Sequence, residues 1–344
     1  MNDSDLTNKL VSLSSKLISI RSLSGDEGDA LLYLLELFTS FGWDYEKIPV
    51  SENRFNIFVP FGTPRICFTT HIDVVPAPED LWKPVISDGK LIGRGACDAK
   101  GILASMIIAV NKLVLDGNTD LSLLVVVGEE TDGIGAKTAA KYLYNRGIKY
   151  LINGEPTDGS LVTAHKGGLS FTVSTKGKAC HSGYPEYGED ANKKLIEVAY
   201  KLQNTDFGYD ELLGPATINL GLINAGSASN ILSDNGIIHG MIRTVTDSDS
   251  VVEILESVVG ENGVLEINNI APKVELKTLD GFRLSSVSYV TDIPHFMALG
   301  TENLLYGPGS IREAHTNSEW VRISDLADAV TGYCKIYSGL CEKL

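Results

Sequence analysis

The chain reads as an α/β protein whose mostly parallel sheet is interrupted by an inserted βαββαβ unit. Three observations carry this. Through the first 165 residues, apolar stretches of strand length, such as LLVVV at 123–127, alternate with stretches of helical periodicity. Such unbroken apolar runs suit strands buried on both faces. After about residue 165 the texture changes to strict alternation, with Leu169, Phe171 and Val173 between Ser170, Thr172 and Ser174, the pattern of a half-buried strand. Finally, acids and imidazoles stand just past the ends of the early strands, where sites form in open α/β sheets.

Leu6, Leu10, Leu13, Leu17 and Ile18 place a helix over 5–20, and Leu31, Leu34, Leu35 and Leu37 another over 26–37. A strand over 65–70, a helix over 100–115, a strand over 121–127, a helix over 135–145 and a strand over 150–153 follow. The second texture gives a strand near 169–173, a helix over 190–202, strands over 216–223 and 236–245, a helix over 248–259 and a last strand over 273–279. Their order is that of a ferredoxin-like split βαβ unit. The chain returns to the first domain near Asp280. The expected division is therefore 1–165 and 280–344 for one domain and 166–279 for the insertion.

A length of 344 residues suits two domains of about 150 residues each. Hydrophobic content of 43% supports sizeable cores and excludes disorder. A net charge of −15 argues against nucleic acid, which is bound through basic patches, and against an anionic membrane surface. No basic leader followed by an apolar run opens the chain, and no apolar run reaches 18 residues. The cysteines at 67, 97, 180, 334 and 341 are odd in number and lack CxxC spacing. Reduced thiols and a cytoplasmic location are expected.

Five motifs carry chemistry: His71 in TTHIDVVP, Asp98 in GRGACDAKG, Glu130 in VVVGEE, Glu155 in NGEPTD and His315 in REAHTNSEW. Two divalent cations about 3.5–4 Å apart need a bridging carboxylate and further ligands on each side. Two His, one central Asp and two Glu supply such a set, leaving Glu129 to act on water. Asp73, two residues after His71, points the same way along the strand end and can orient the imidazole. Each motif alone has a plainer reading. His71 and Asp73 could be a surface pair, Asp98 a helix N-cap, and Glu129-Glu130 a solvated loop helped by Thr131-Asp132-Gly133. Adjacent carboxylates after an apolar strand nevertheless repel one another unless a cation compensates them.

In that order, HxDVVP, GRGxxDxKG, GEE, GEPT and GPG followed by AHxxxE resemble the zinc-dependent amidohydrolases that include acetylornithine deacetylase, succinyl-diaminopimelate desuccinylase, aminoacylase and glutamate carboxypeptidase. The resemblance covers nearly the whole chain. It implies a zinc-peptidase-like catalytic domain with an inserted lid that serves for dimerisation. It implies His71, Asp98 and Glu155 on one metal and Asp98, Glu130 and His315 on the other, with Asp98 bridging. Asp73 becomes the orienting acid and Glu129 the general base. HKGGLSFTVSTKGKACHSGYPEYGEDA maps His181 onto a histidine that stabilises the oxyanion, and SASNILSDNGIIHGMIR maps Asn230 and Arg243 onto residues that hold the substrate carboxylate. An arginine fork suits a carboxylate, although Arg243 also reads as a strand-surface charge. One departure is His-Thr-Asn-Ser-Glu, where many members place Pro before the Asn; every ligand position stays filled.

The expected enzyme is a di-zinc amidohydrolase, also served by cobalt or manganese, that removes an N-acyl group from a small-molecule N-acyl amino acid. Acetylornithine deacetylase or its N-acetyl-lysine equivalent, in arginine or lysine biosynthesis, is the leading form. Succinyl-diaminopimelate desuccinylase and a di- or tripeptidase are the alternatives. A homodimer through the lid is expected, with no nucleic-acid or membrane partner. A non-catalytic metal-binding protein is the rival from another class, and nothing needed for catalysis is missing. A nucleotide-binding fold would want GxGxxG or a Walker loop, and GRGACDAKG is neither.

Overall fold

A computed structural model describes residues 3–344. The chain divides into two compact units: Met1–Thr163, Leu276–Ser285 and Thr291–Leu344 form the first, and Ala164–Glu275 with Ser286–Val290 the second. Among the described residues, no helix is long and apolar enough to cross a membrane.

The first unit is built on a six-stranded sheet in the order Glu46–Ser51, Arg54–Pro60, Leu121–Val126, Ile66–His71, Tyr150–Asn153, Glu302–Leu305. The last four strands are mutually parallel, and the first two add an antiparallel edge. Ile66–His71, Leu121–Val126 and Tyr150–Asn153 are buried at every position. Successive side chains point to opposite faces, and the two faces have separate cores. Ile66, Phe68, Leu121, Leu123, Val125 and Ile152 pack with the helices Asp3–Ser19, Gly28–Ser40, Lys100–Leu115 and Ile323–Cys341. Cys67, Leu124, Val126 and Leu151 pack with Ala136, Ala139, Ala140 and Leu143 of the helix Ile134–Leu143.

The register of the parallel strands sets the site. His71 pairs with Val126, while Thr69 and Leu305 both pair with Asn153. The segments that follow these residues, carrying Asp73, Glu129-Glu130, Glu155 and His315, therefore all leave the sheet at its carboxyl edge.

The second unit is a four-stranded antiparallel sheet ordered Thr217–Ala225, Asn235–Arg243, Gly168–Lys176, Val264–Ala271, with helices Ala191–Gln203 and Ser248–Val259. This is the ferredoxin-like arrangement expected from the element order. Leu169, Phe171, Val173, Ile238 and Ile242 form its core with Leu195, Val198, Leu202, Val251 and Leu255 of the helices. Asp190 and Asp247 cap the helices, accepting from the amides of Asn192 at 3.0 Å and Ser250 at 2.9 Å.

The last strand of this sheet is Val264–Ala271, not the expected 273–279. It is an edge strand exposed over most of its length, so packing does not demand a strong apolar alternation there. Val274–Glu275 is a two-residue strand that pairs with Leu161–His165. The hairpin of Glu46–Ser51 and Arg54–Pro60 was also absent from the expectations.

Candidate metal centre

Each functional side chain in the first unit is placed by a local device. His71 ends its strand, and Thr70 beside it donates from Oγ1 to the carbonyl of Gly154 at 2.9 Å, joining the His71 strand to the Glu155 turn. Gly154 faces Met106 and Ile102 so closely that a Cβ would stand 2.5 Å and 2.6 Å from their side chains. On the other side of the turn, a Cβ on Gly307 would collide with the carbonyl of Glu155. Glu155 is thus held between a helix and the segment leading to His315. Gly128, at φ +76°, turns the chain off its strand ahead of Glu129. His315 itself lies at φ +61°, a left-handed conformation that histidine enters more readily than most residues.

These devices bring the five predicted ligands together. The ligand atoms of His71, Asp98 and Glu155 lie within 4.8 Å of one another, and so do those of Asp98, Glu130 and His315. Asp98 belongs to both groups. Its Oδ1 is 3.0 Å from His71 Nε2, and its Oδ2 is 3.5 Å from His315 Nε2, which is 2.9 Å from Glu130. Asp98 is not an N-cap: the helix Lys100–Leu115 begins after Ala99 without a side-chain cap. His71, Asp98 and Glu155 are buried, whereas the His315 side chain is half exposed.

Asp73 does more than face the imidazole. The ring Nδ1 of His71 is 2.9 Å from the main-chain carbonyl of Asp73, and the carboxylate stands back at 3.6 Å. That carboxylate instead accepts the successive amides of Glu129 and Glu130, each at 3.2 Å, and the hydroxyl of Ser24 at 2.7 Å. It fixes the backbone of the acid pair as well as standing by the ring. Ser24 had no motif to reveal it.

The electrostatics are those of a buried carboxylate cluster with two imidazoles among the acids. Burial, then repulsion from Glu155, pushes the Glu129 carboxyl well above its ordinary value. Burial and Asp98 do the same to Glu155. Hydrogen bonding to Asp98 and Glu130 pushes the His315 imidazole up to about 10. Asp292, which adds to the repulsion on Glu129 and Glu155, is itself raised to about 7, chiefly by burial. Sequence reasoning missed Asp292, which stands in no recognisable pattern. Glu155 Oε1 is buried without a hydrogen-bond partner, and a buried carboxylate oxygen without a donor calls for a cation. Two imidazoles and three carboxylates, one of them shared, fit a pair of divalent ions.

His181, Asn230 and Arg243 belong to the second unit. His181 and Asn230 are exposed on adjoining loops, linked where the Ser182 amide donates to the Asn230 carbonyl at 3.0 Å and where His181 bridges Ile231. Arg243 ends the strand Asn235–Arg243, half buried, and burial lowers its pKa. No acid among the described residues forms an ion pair with it.

The pattern that defines peptidase family M20/M25/M40 matches residues 67–338. A peptidase M20 domain-containing protein of Schizosaccharomyces pombe is 39% identical over 336 residues, covering 94% of this chain and 83% of that protein. A probable carboxypeptidase of Talaromyces marneffei is 36% identical, covering 98% of this chain and 87% of the other. Among solved structures, a tripeptidase of Staphylococcus aureus superposes with a TM-score of 0.81 at 21% identity, over 96% of this chain and 97% of its own. That likeness is one of fold.

Proposed function

The chain belongs to peptidase family M20/M25/M40, and from that premise we propose that it is a two-metal exopeptidase of carboxypeptidase type, cleaving the amide next to a free carboxylate. It is a metal-dependent hydrolase of amide bonds. The observation that carries the proposal is the sharing of Asp98 between two ligand groups with Glu129 beside them. The names of the curated relatives favour peptide hydrolysis over the deacetylation first expected. Both reactions cleave an amide whose nitrogen belongs to an amino acid with a free carboxylate, so one arginine serves either.

A bound cation pair supplies Lewis-acid polarisation of the scissile carbonyl and makes water acidic near neutral pH. The protein does the rest. His71, Asp98 and Glu155 would hold one ion, and Asp98, Glu130 and His315 the other. Zinc suits this donor set, and cobalt or manganese is accepted by it. Glu129 takes a proton from water and delivers it to the leaving amine. Asp73 keeps it in place through the amides of Glu129 and Glu130. His181 donates to the developing oxyanion, a contact of a kind that contributes about 10²–10³ in rate. Asn230 and Arg243 hold the substrate carboxylate.

The test is a substrate panel with added zinc: a dipeptide, an N-blocked dipeptide, the same compound amidated at its C-terminus, acetylornithine and succinyl-diaminopimelate. Cleavage of the blocked dipeptide, lost on amidation, is expected. Turnover of acetylornithine alone would return the reading to a deacetylase, and indifference to amidation would remove Arg243 from its role.

Exposed Ile196 and Tyr200 on one helix, with Leu222 and Ile223 on the edge strand Thr217–Ala225, support a homodimer through the second unit, which light scattering tests. The five unpaired cysteines suit a reducing, cytoplasmic setting.

A further inference from the structure

Glu319 follows His315 by four residues, yet its carboxylate serves the loop of Asp98. Oε1 accepts the amides of Cys97 at 2.9 Å and Asp98 at 3.0 Å. Oε2 accepts the amide of Gly95 at 3.1 Å and Nη1 of Arg94 at 2.6 Å. The Glu319 carbonyl accepts the amide of Gly93 at 3.0 Å. Arg94 reaches further, donating from Nη2 to the carbonyls of Pro76 and Thr316, each at 3.2 Å. Pro76 lies on the segment leaving His71, and Thr316 adjoins His315. One buried ion pair therefore touches the three segments that carry His71, Asp98 and His315. Its side chains are 2% and 0% exposed.

A buried ion pair is poor evidence of a stabilising role, because hydrocarbon of similar volume often serves as well. Hydrocarbon could not, however, satisfy three main-chain amides converging on one carboxylate. The arrangement fixes the backbone of Gly95, Cys97 and Asp98 through protein groups alone, which is how supporting contacts set the geometry of a ligand. We infer that Arg94 and Glu319 form a positioning pair that presets the shared carboxylate of Asp98 and ties its segment to those of His71 and His315. The inference rests on the two-metal reading.

The test uses the full chain stripped of metal, in wild-type form and as Glu319→Gln and Arg94→Lys. Each is titrated with Co²⁺ alone, read by visible absorption and by competition with a chelator, beside the melting temperature of the metal-free form. Glu319→Gln keeps the shape but removes the charge. Its Co²⁺ affinity is expected to fall at least about tenfold at both positions together, because the shared ligand is misplaced. Its absorption bands shift, and kcat falls while KM changes little. Arg94→Lys cannot span Pro76 and Thr316 and shifts affinity and bands in the same direction. Wild-type affinity and spectrum in the variants would overturn the inference, whatever their melting temperatures. Should Glu319→Gln fail to fold, the Arg94→Lys titration decides by the same two outcomes. A wild type that takes up fewer than two Co²⁺ ions would overturn the two-metal reading, and the positioning role with it.

Discussion

His315 is the most exposed of the five ligand candidates, and its proton competes directly with a metal. Asp98 and Glu130 raise its pKa from 6.5 to about 10. A folded value above the unfolded one means that the folded chain holds the proton more tightly. This contribution is complete below pH 6.5 and is lost as pH rises through about 10. Metal binding requires the neutral ring and so strengthens over the same window. The metal-free protein is expected to melt at progressively lower temperature between roughly pH 7 and pH 9, and the zinc-loaded protein to resist that decline. Parallel slopes with and without chelator would contradict this. Glu129→Gln is expected to retain both metals by elemental analysis while losing nearly all turnover; normal activity would overturn its assignment to water. Asp98→Ala is expected to deplete both ions together, and loss of one alone would remove the bridge. The ligand candidates were legible because each stands in a short motif, those of His71, Glu130 and Glu155 at strand ends and that of Asp98 at the start of a helix. The partners of the Asp73 carboxylate were not, since amides 56 and 57 positions away leave no trace in local sequence.

At the scale of elements, the junction between sheet and site depends on Asn56. It sits fully buried in the strand Arg54–Pro60, donating to the Gly135 carbonyl at 2.8 Å and accepting the Val127 amide at 3.2 Å. It joins the end of the strand that leads to Glu129 to the start of the helix Ile134–Leu143. Asn56→Leu removes both bonds and leaves the buried Val127 amide unsatisfied, at a cost of about 1–3 kcal/mol. In urea, the transition of the first unit should show a lower midpoint with an unchanged slope; an unaltered midpoint would show that the junction holds without it. Strands buried on both faces, such as Leu121–Val126, were legible from their unbroken apolar runs. Val264–Ala271 was not, because an edge strand with Glu266, Asn268 and Asn269 along it reads like a loop.

At the scale of the molecule, the two units have separate cores and one holds all five ligand candidates. Calorimetry is expected to resolve two transitions, of which a chelator lowers one. Equal shifts of both would show a single cooperative block. The existence of an insertion was legible from the change in hydrophobic texture and from His315 lying beyond it. The order of strands in the parallel sheet was not, since parallel neighbours meet through crossovers and carry no pairing signal along the chain.

The distribution of ligands along the chain has a consequence for biosynthesis. His71, Asp98, Glu130 and Glu155 emerge from the ribosome before the whole second unit, and His315 only after it. A nascent chain thus carries a cluster of acids that repel one another and has no closing imidazole until translation is nearly finished. Capture of the second ion would then wait for His315, the last of the ligand candidates to be synthesised.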